Sequence, residues 1–155
     1  FSLLDNAARL YPDRIALDYF GATTTYAQVR EQVLKAAQVL HEAGVRSGDT
    51  VAIALPNCPQ AFVAFYACMR IGAVAAQHNP LAPASELAGQ LERHGGRVAI
   101  VWEKCVDSYP LDVLDTVFTV DISHGMPMSQ RVLLRLPVAR ADALLGPCHG
   151  LVRAD

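Results

Sequence analysis

The stretch MRIGAVAAQHNPLAPASEL, Met69 to Leu87, decides how the fold is read. It holds the end of an apolar helix, one glycine, a short run of small apolar residues, and the polar corner His78-Asn79-Pro80. Upstream, Gln60 to Ile71 has helical length and almost no polar face: Phe62, Val63, Phe65, Tyr66, Met69 and Ile71 fill it. A helix apolar all round is buried on most sides. Ala73 to Ala76 then reads as a short strand that stops at Pro80, which has no N–H for a ladder. A second helix is expected from Pro83 to His94. Pro83 suits its first position, Ala82 stands at the N-cap without a hydroxyl, and Gly95-Gly96 terminates it.

Working outward, TVAIAL (Thr50 to Leu55) and RVAIVW (Arg97 to Trp102) are apolar without alternation. Such runs suit strands covered on both faces. TVFTV (Thr116 to Val120) reads as a further strand. Near the start, Ser2 to Leu10 carries apolar residues at helical spacing. IALDYF and TTTY flank Gly21-Ala22 as a hairpin. Thr25-Tyr26-Ala27-Gln28 fits a capping box opening a helix to about Ala43, with Val29, Val33, Ala36 and Leu40 inward and Gly44 as its stop. Helix and strand alternate from Thr25 onward, which argues for a three-layer α/β fold: a mainly parallel sheet with helical crossovers, preceded by a helix and a short hairpin. Residues 1–121 form this unit. Residues 122–155 read as a tail, with a short helix expected between Pro127 and Pro137.

The composition, 52% hydrophobic and 18% charged over 155 residues with a net charge of −2, belongs to a globular chain and gives no basic footprint for nucleic acid. Cys58, Cys68, Cys105 and Cys148 show no metal or redox spacing, so reduced thiols and a cytoplasmic setting are expected. The longest apolar run, Ala61 to Met69, is far short of the roughly 20 residues of a membrane span. Arg131, Arg135 and Arg140 beside Leu133, Leu134 and Leu136 fit either a helix packed on the chain or a basic face for peripheral membrane association. The polar-free helix Gln60 to Ile71 needs cover, from a homodimer or from the tail.

Chemistry-bearing motifs are scarce. There is no GxGxxG, no Walker loop and no GxSxG elbow. Asp107, Asp112, Asp115 and Asp121 fit no calcium loop. Among His41, His78, His94, His124 and His149 only His78 stands out. It ends a strand whose C-terminal edge is where open α/β sheets place ligands. The competing reading is a corner residue whose ring hydrogen-bonds the turn. No acid or nucleophile can be paired with it, so no catalytic, cofactor-binding or metal-binding residue is assigned.

Three segments in order carry a resemblance: Thr25-Tyr26-Ala27-Gln28-Val29, GVRSGDTVAIALPNCPQ (Gly44 to Gln60), and MRIGAVAAQHNPLAPASEL. Together they resemble the N-terminal part of the adenylate-forming, AMP-binding superfamily. Asn79-Pro80-Leu81, EKCV and LLRLP are most similar to bacterial long-chain fatty-acid–CoA ligases. The resemblance implies a parent enzyme that uses ATP and Mg²⁺ to convert a fatty acid to acyl-adenylate, and coenzyme A to take the acyl group as a thioester. It also implies that the phosphate loop, the adenine-contacting aromatic segment, the ribose-binding aspartate and the catalytic lysine lie downstream. The chain by itself is then expected to be inactive and to bind none of these. A fatty-acyl-AMP ligase, a carrier-loading adenylation domain and a non-catalytic α/β binding module are the alternatives.

Overall fold

The computed structural model describes residues 2–128. The chain opens with helix α1 (Ser2–Leu10), the antiparallel hairpin β1 (Ile15–Tyr19) and β2 (Ala22–Thr25), and helix α2 (Tyr26–Glu42). Then follow β3 (Thr50–Ala54), α3 (Pro59–Ile71), β4 (Val74–Gln77), α4 (Ala84–His94) and β5 (Val98–Trp102). Two 3-10 turns, Glu103–Ser108 and Leu111–Val113, lead to β6 (Thr116–Val120), and a third covers Ile122–Gly125. The four later strands form one parallel sheet in the order β4-β3-β5-β6. This is the expected parallel architecture, with α3 and α4 as crossovers.

The strand period of two sorts the core. Val51, Ile53, Ile100 and Trp102 point to the face covered by α2 and α3, with Leu40, Ala64, Ala67 and Cys68. Ala52, Ala54, Ala99 and Val101 point to the opposite face, under Leu87 and Leu91 of α4. Alanines on that second face leave room for larger side chains to lie flat against the sheet.

Local details refine the sequence expectations. β1 ends at Tyr19, because Phe20 and Gly21 both take positive φ (53° and 85°) and make the tight turn themselves. That geometry matches the right-handed twist of a hairpin, and the Asp18 carboxylate accepts from the Gly21 N–H at 2.9 Å. The Thr25–Gln28 capping box is present in both directions. The inward stripe of α2 runs Val29, Val33, Ala37, Leu40; Ala37 takes the fully buried place expected of Ala36. Helix α4 begins one residue later than expected: Pro83 is its N-cap, without a side-chain bond. Ala82 is buried and donates its N–H to the Asn79 carbonyl.

α3 is half-covered. Its fully buried residues are the small ones, Ala64, Ala67 and Cys68, while Phe62, Phe65 and Tyr66 are partly buried and Met69 is 47% exposed. Gly72 ends α3 at φ 75°, and a Cβ there would stand 2.6 Å from Ser47 Oγ. Only glycine fits both demands. The short helix expected between Pro127 and Pro137, and Arg131, Arg135, Arg140, Cys148 and His149, lie outside the described residues.

Candidate functional site

The chain leaves β4 at Gln77, and the His78 N–H donates to the Ile53 carbonyl at 2.9 Å, extending the ladder by one residue. Asn79 then closes the corner: its Oδ1 accepts from the Leu81 N–H at 3.0 Å. The backbone of this corner does what the sequence suggests. The His78 side chain does not. His78 is only 6% exposed, and its ring turns toward α4 rather than bonding the turn.

Two groups far away in sequence meet that ring. Nδ1 of His78 lies 2.7 Å from the Tyr109 hydroxyl, just after the 3-10 turn that follows β5. Nε2 lies 2.9 Å from Nε2 of His94, in the last turn of α4. The Gly96 N–H in turn donates to His94 Nδ1 at 3.0 Å. These contacts determine the protons of the neutral pair. Nδ1 of His94 accepts from an amide, so its proton sits on Nε2 and is donated to His78 Nε2. His78 therefore carries its proton on Nδ1 and donates it to the Tyr109 oxygen. Every ring nitrogen is satisfied in this one arrangement.

Electrostatics keep it neutral. Burial, with lesser contributions from His94 and Arg93, holds the His78 imidazole down at about 4. Burial lowers His94 as well, its own backbone partly opposing and Arg93 adding to the shift. Burial raises the Tyr109 hydroxyl. The desolvation cost of a buried charge is the common cause.

Beside this network a groove of about 570 Å³ opens at the C-terminal edge of β3 and β4. Tyr19, Ile53, Leu55, Cys58, Phe62 and Tyr66 line it, together with the polar residues Asp18, Asn57, Gln77 and His78. Burial raises the Cys58 thiol above its ordinary value and so disfavours the thiolate. Cys68, behind the groove, is pushed up to about 11 by burial. Cys58, Cys68 and Cys105 are all buried thiols.

The four aspartates singled out in sequence do not converge on a site. Asp107, Asp112 and Asp115 are exposed, and Asp121 accepts from the Ser123 N–H. Among the described residues no group of three or more His, Cys, Asp or Glu could hold a metal ion. No helix among them is long and apolar enough to cross a membrane. His94 and Tyr109 were the residues that sequence reasoning missed. Their signal was faint: a histidine two residues before a glycine, and a tyrosine after a run of turn residues.

Comparison with known proteins places this geometry. Residues 4–140 match the family model described as "AMP-binding enzyme". The long-chain-fatty-acid–CoA ligase of Bacillus subtilis is 30% identical over 139 residues, which is 87% of this chain and 25% of that protein. The acetyl-coenzyme A synthetase of Emericella nidulans is 44% identical over 80 residues, 48% of this chain and 12% of that one. Among solved structures, an artificially fused adenylation–PCP di-domain, NpsA-ThdA, from Klebsiella oxytoca superposes with a TM-score of 0.70 at 30% identity, covering 76% of this chain and 22% of that one. The N-terminal domain of FACL13 from Mycobacterium tuberculosis gives 0.68 at 25% identity, covering 85% and 34%. The chain thus spans about a quarter of the length of the Bacillus relative.

Proposed function

The chain belongs to the AMP-binding enzyme family, and from that membership we propose that it is the N-terminal part of a fatty-acid–CoA ligase. The observation that carries the reading is the extent of similarity. The Bacillus fatty-acid–CoA ligase aligns over 87% of the chain, whereas the acetyl-coenzyme A synthetase aligns over 48%. In the proposed reaction a fatty-acid carboxylate attacks the α-phosphorus of ATP. The bond to the bridging oxygen breaks, and acyl-adenylate and pyrophosphate result. The thiolate of coenzyme A then attacks the acyl carbonyl, and AMP leaves as the thioester forms.

Negative charge builds on phosphate and carbonyl oxygens in both steps, and fixed donors or a cation must meet it. The described residues supply neither a glycine-rich phosphate loop nor a metal cluster. We therefore assign ATP and Mg²⁺ to parts of the enzyme beyond them, and no step is routed through these residues. Their part is architectural: the sheet and its crossover helices build a rigid wall whose strand ends face the groove. A cytoplasmic location belongs to the same proposal.

The test is acid-dependent ATP–pyrophosphate exchange in a chain extended to the length of its relatives, with acetate, an aryl acid and a long-chain fatty acid compared. Exchange with the long-chain acid, followed by coenzyme A-dependent AMP release, supports the reading. Exchange with acetate or the aryl acid alone refutes the substrate assignment. The 155-residue chain by itself should give no exchange.

A further inference from the structure

The two imidazoles can accept no further proton without losing a contact. In the neutral arrangement Gly96 donates to His94, His94 to His78, and His78 to Tyr109. A proton added at His78 Nε2 faces the N–H of His94 across 2.9 Å. A proton added at His94 Nδ1 faces the Gly96 N–H across 3.0 Å. Either way two donors stand head to head, and a buried donor without an acceptor is strongly unfavourable.

We propose that His78, His94 and Tyr109 form a proton-operated latch. One proton on the imidazole pair breaks the His78–His94 or the His94–Gly96 contact and releases the end of α4 from the His78–Ala82 corner, while His78 Nδ1 keeps its bond to Tyr109. The three residues come from three separate elements: the end of β4, the last turn of α4, and the turn after β5. Their ring contacts are therefore the polar ties that hold this layer in register. Around them, β3 and β5 present only Ala52, Ala54, Ala99 and Val101. From α4 the charge acting on both rings is Arg93, which opposes protonation. The other charged side chains of the packed elements, Glu86 and Glu92 on α4 and Lys104 and Asp107 on the turn, are exposed, and Glu103 is half-exposed. The latch is independent of the substrate proposed above, because it depends only on this layer.

The test is a long-range ¹H–¹⁵N correlation spectrum of the ¹⁵N-labelled 155-residue chain, followed from pH 7.5 downward. At the start His94 should appear as the Nε2–H tautomer and His78 as the Nδ1–H tautomer. Both rings should then change in one coupled step, at a proton concentration at least about tenfold above that which titrates an exposed imidazole near 6.5. The amides of His78, Leu81, Ala82 and Gly96 should move with the same midpoint, while those of the Ile15–Thr25 hairpin hold. In His94→Gln the carboxamide can turn its oxygen to the ring. His78 should then titrate closer to its ordinary value, and the corner amides should stop responding. Independent titration of both histidines near 6.5 overturns the proposal. So does an Nε2–H tautomer on His78, a ring titration that the corner does not follow, or a step shared with the hairpin, which is global unfolding.

Discussion

Gly96→Ala is the sharpest perturbation of the His78 layer, because a single methyl reaches both of its supports. A Cβ on Gly96 would lie 2.8 Å from the Thr50 carbonyl oxygen and 3.0 Å from Cε1 and Nδ1 of His94. The first neighbour is backbone at the head of β3 and cannot swing aside. The second is a ring held from its other side by His78. Overpacking of this kind costs about 1–3 kcal/mol. Displacing the His94 ring also loses the bond from the Gly96 N–H, worth about 1 kcal/mol net. The expected destabilisation is about 2–4 kcal/mol. Gly89→Ala is the internal control. It lies in the same helix-to-strand unit, within α4, and its Cβ would meet only the flexible Arg93 guanidinium at 3.5 Å. Replacing a helical glycine by alanine should stabilise by about 0.5–1 kcal/mol. Urea unfolding followed by circular dichroism measures both. With an m-value of about 1–3 kcal/mol/M, the two midpoints should separate by about 1 M or more, on opposite sides of wild type. A Gly96→Ala midpoint at or above wild type would refute the packing argument.

Acid should weaken the fold through the same histidines. A pKa held down at about 4 in the fold means that both states are neutral above 6.5, so nothing is gained or lost there. As pH falls from about 6.5 to about 4 only the unfolded chain takes up the proton, and stability drops by roughly 3 kcal/mol. Denaturation midpoints should show this slope in wild type and a shallower one in His78→Asn; equal slopes would disprove the assignment. Tyr109→Phe removes the acceptor for His78 Nδ1 and should cost about 1–3 kcal/mol, measured by urea unfolding at pH 7.5; a neutral change would show that the ring has another partner. Leu87→Ala empties a fully buried site between α4 and the sheet and should cost about 3–5 kcal/mol in the same assay, with less than about 1 arguing that the layer collapses freely. The half-covered aromatic flank of α3 leads us to expect self-association at micromolar concentration; sedimentation equilibrium returning a clean monomer would show that the core closes on itself.

The sequence by itself determined the order of elements and the kind of sheet. The apolar runs at Thr50 and Val98 carried no alternation, so they had to be covered on both faces, and the helix-length segments between strands forced parallel pairing. Thr25 and Gln28 marked a helix start, and Gly72 and Gly95 marked helix stops, because capping and left-handed geometry are local properties of a few residues. The family was legible for the same reason: its segments are contiguous in the chain. The partners of His78 were not. The sequence places it at a strand end, but whether its ring faces the ligand edge or folds under α4 depends on what fills the space beyond the small side chains of Ala52, Ala54 and Ala99. That was decided by the packing of α4 and of the turn after β5, which carry His94 and Tyr109 to within 2.9 Å and 2.7 Å of one ring. Hydrogen bonds between residues 16 and 31 positions apart follow no local period, so only the tertiary structure could bring them together.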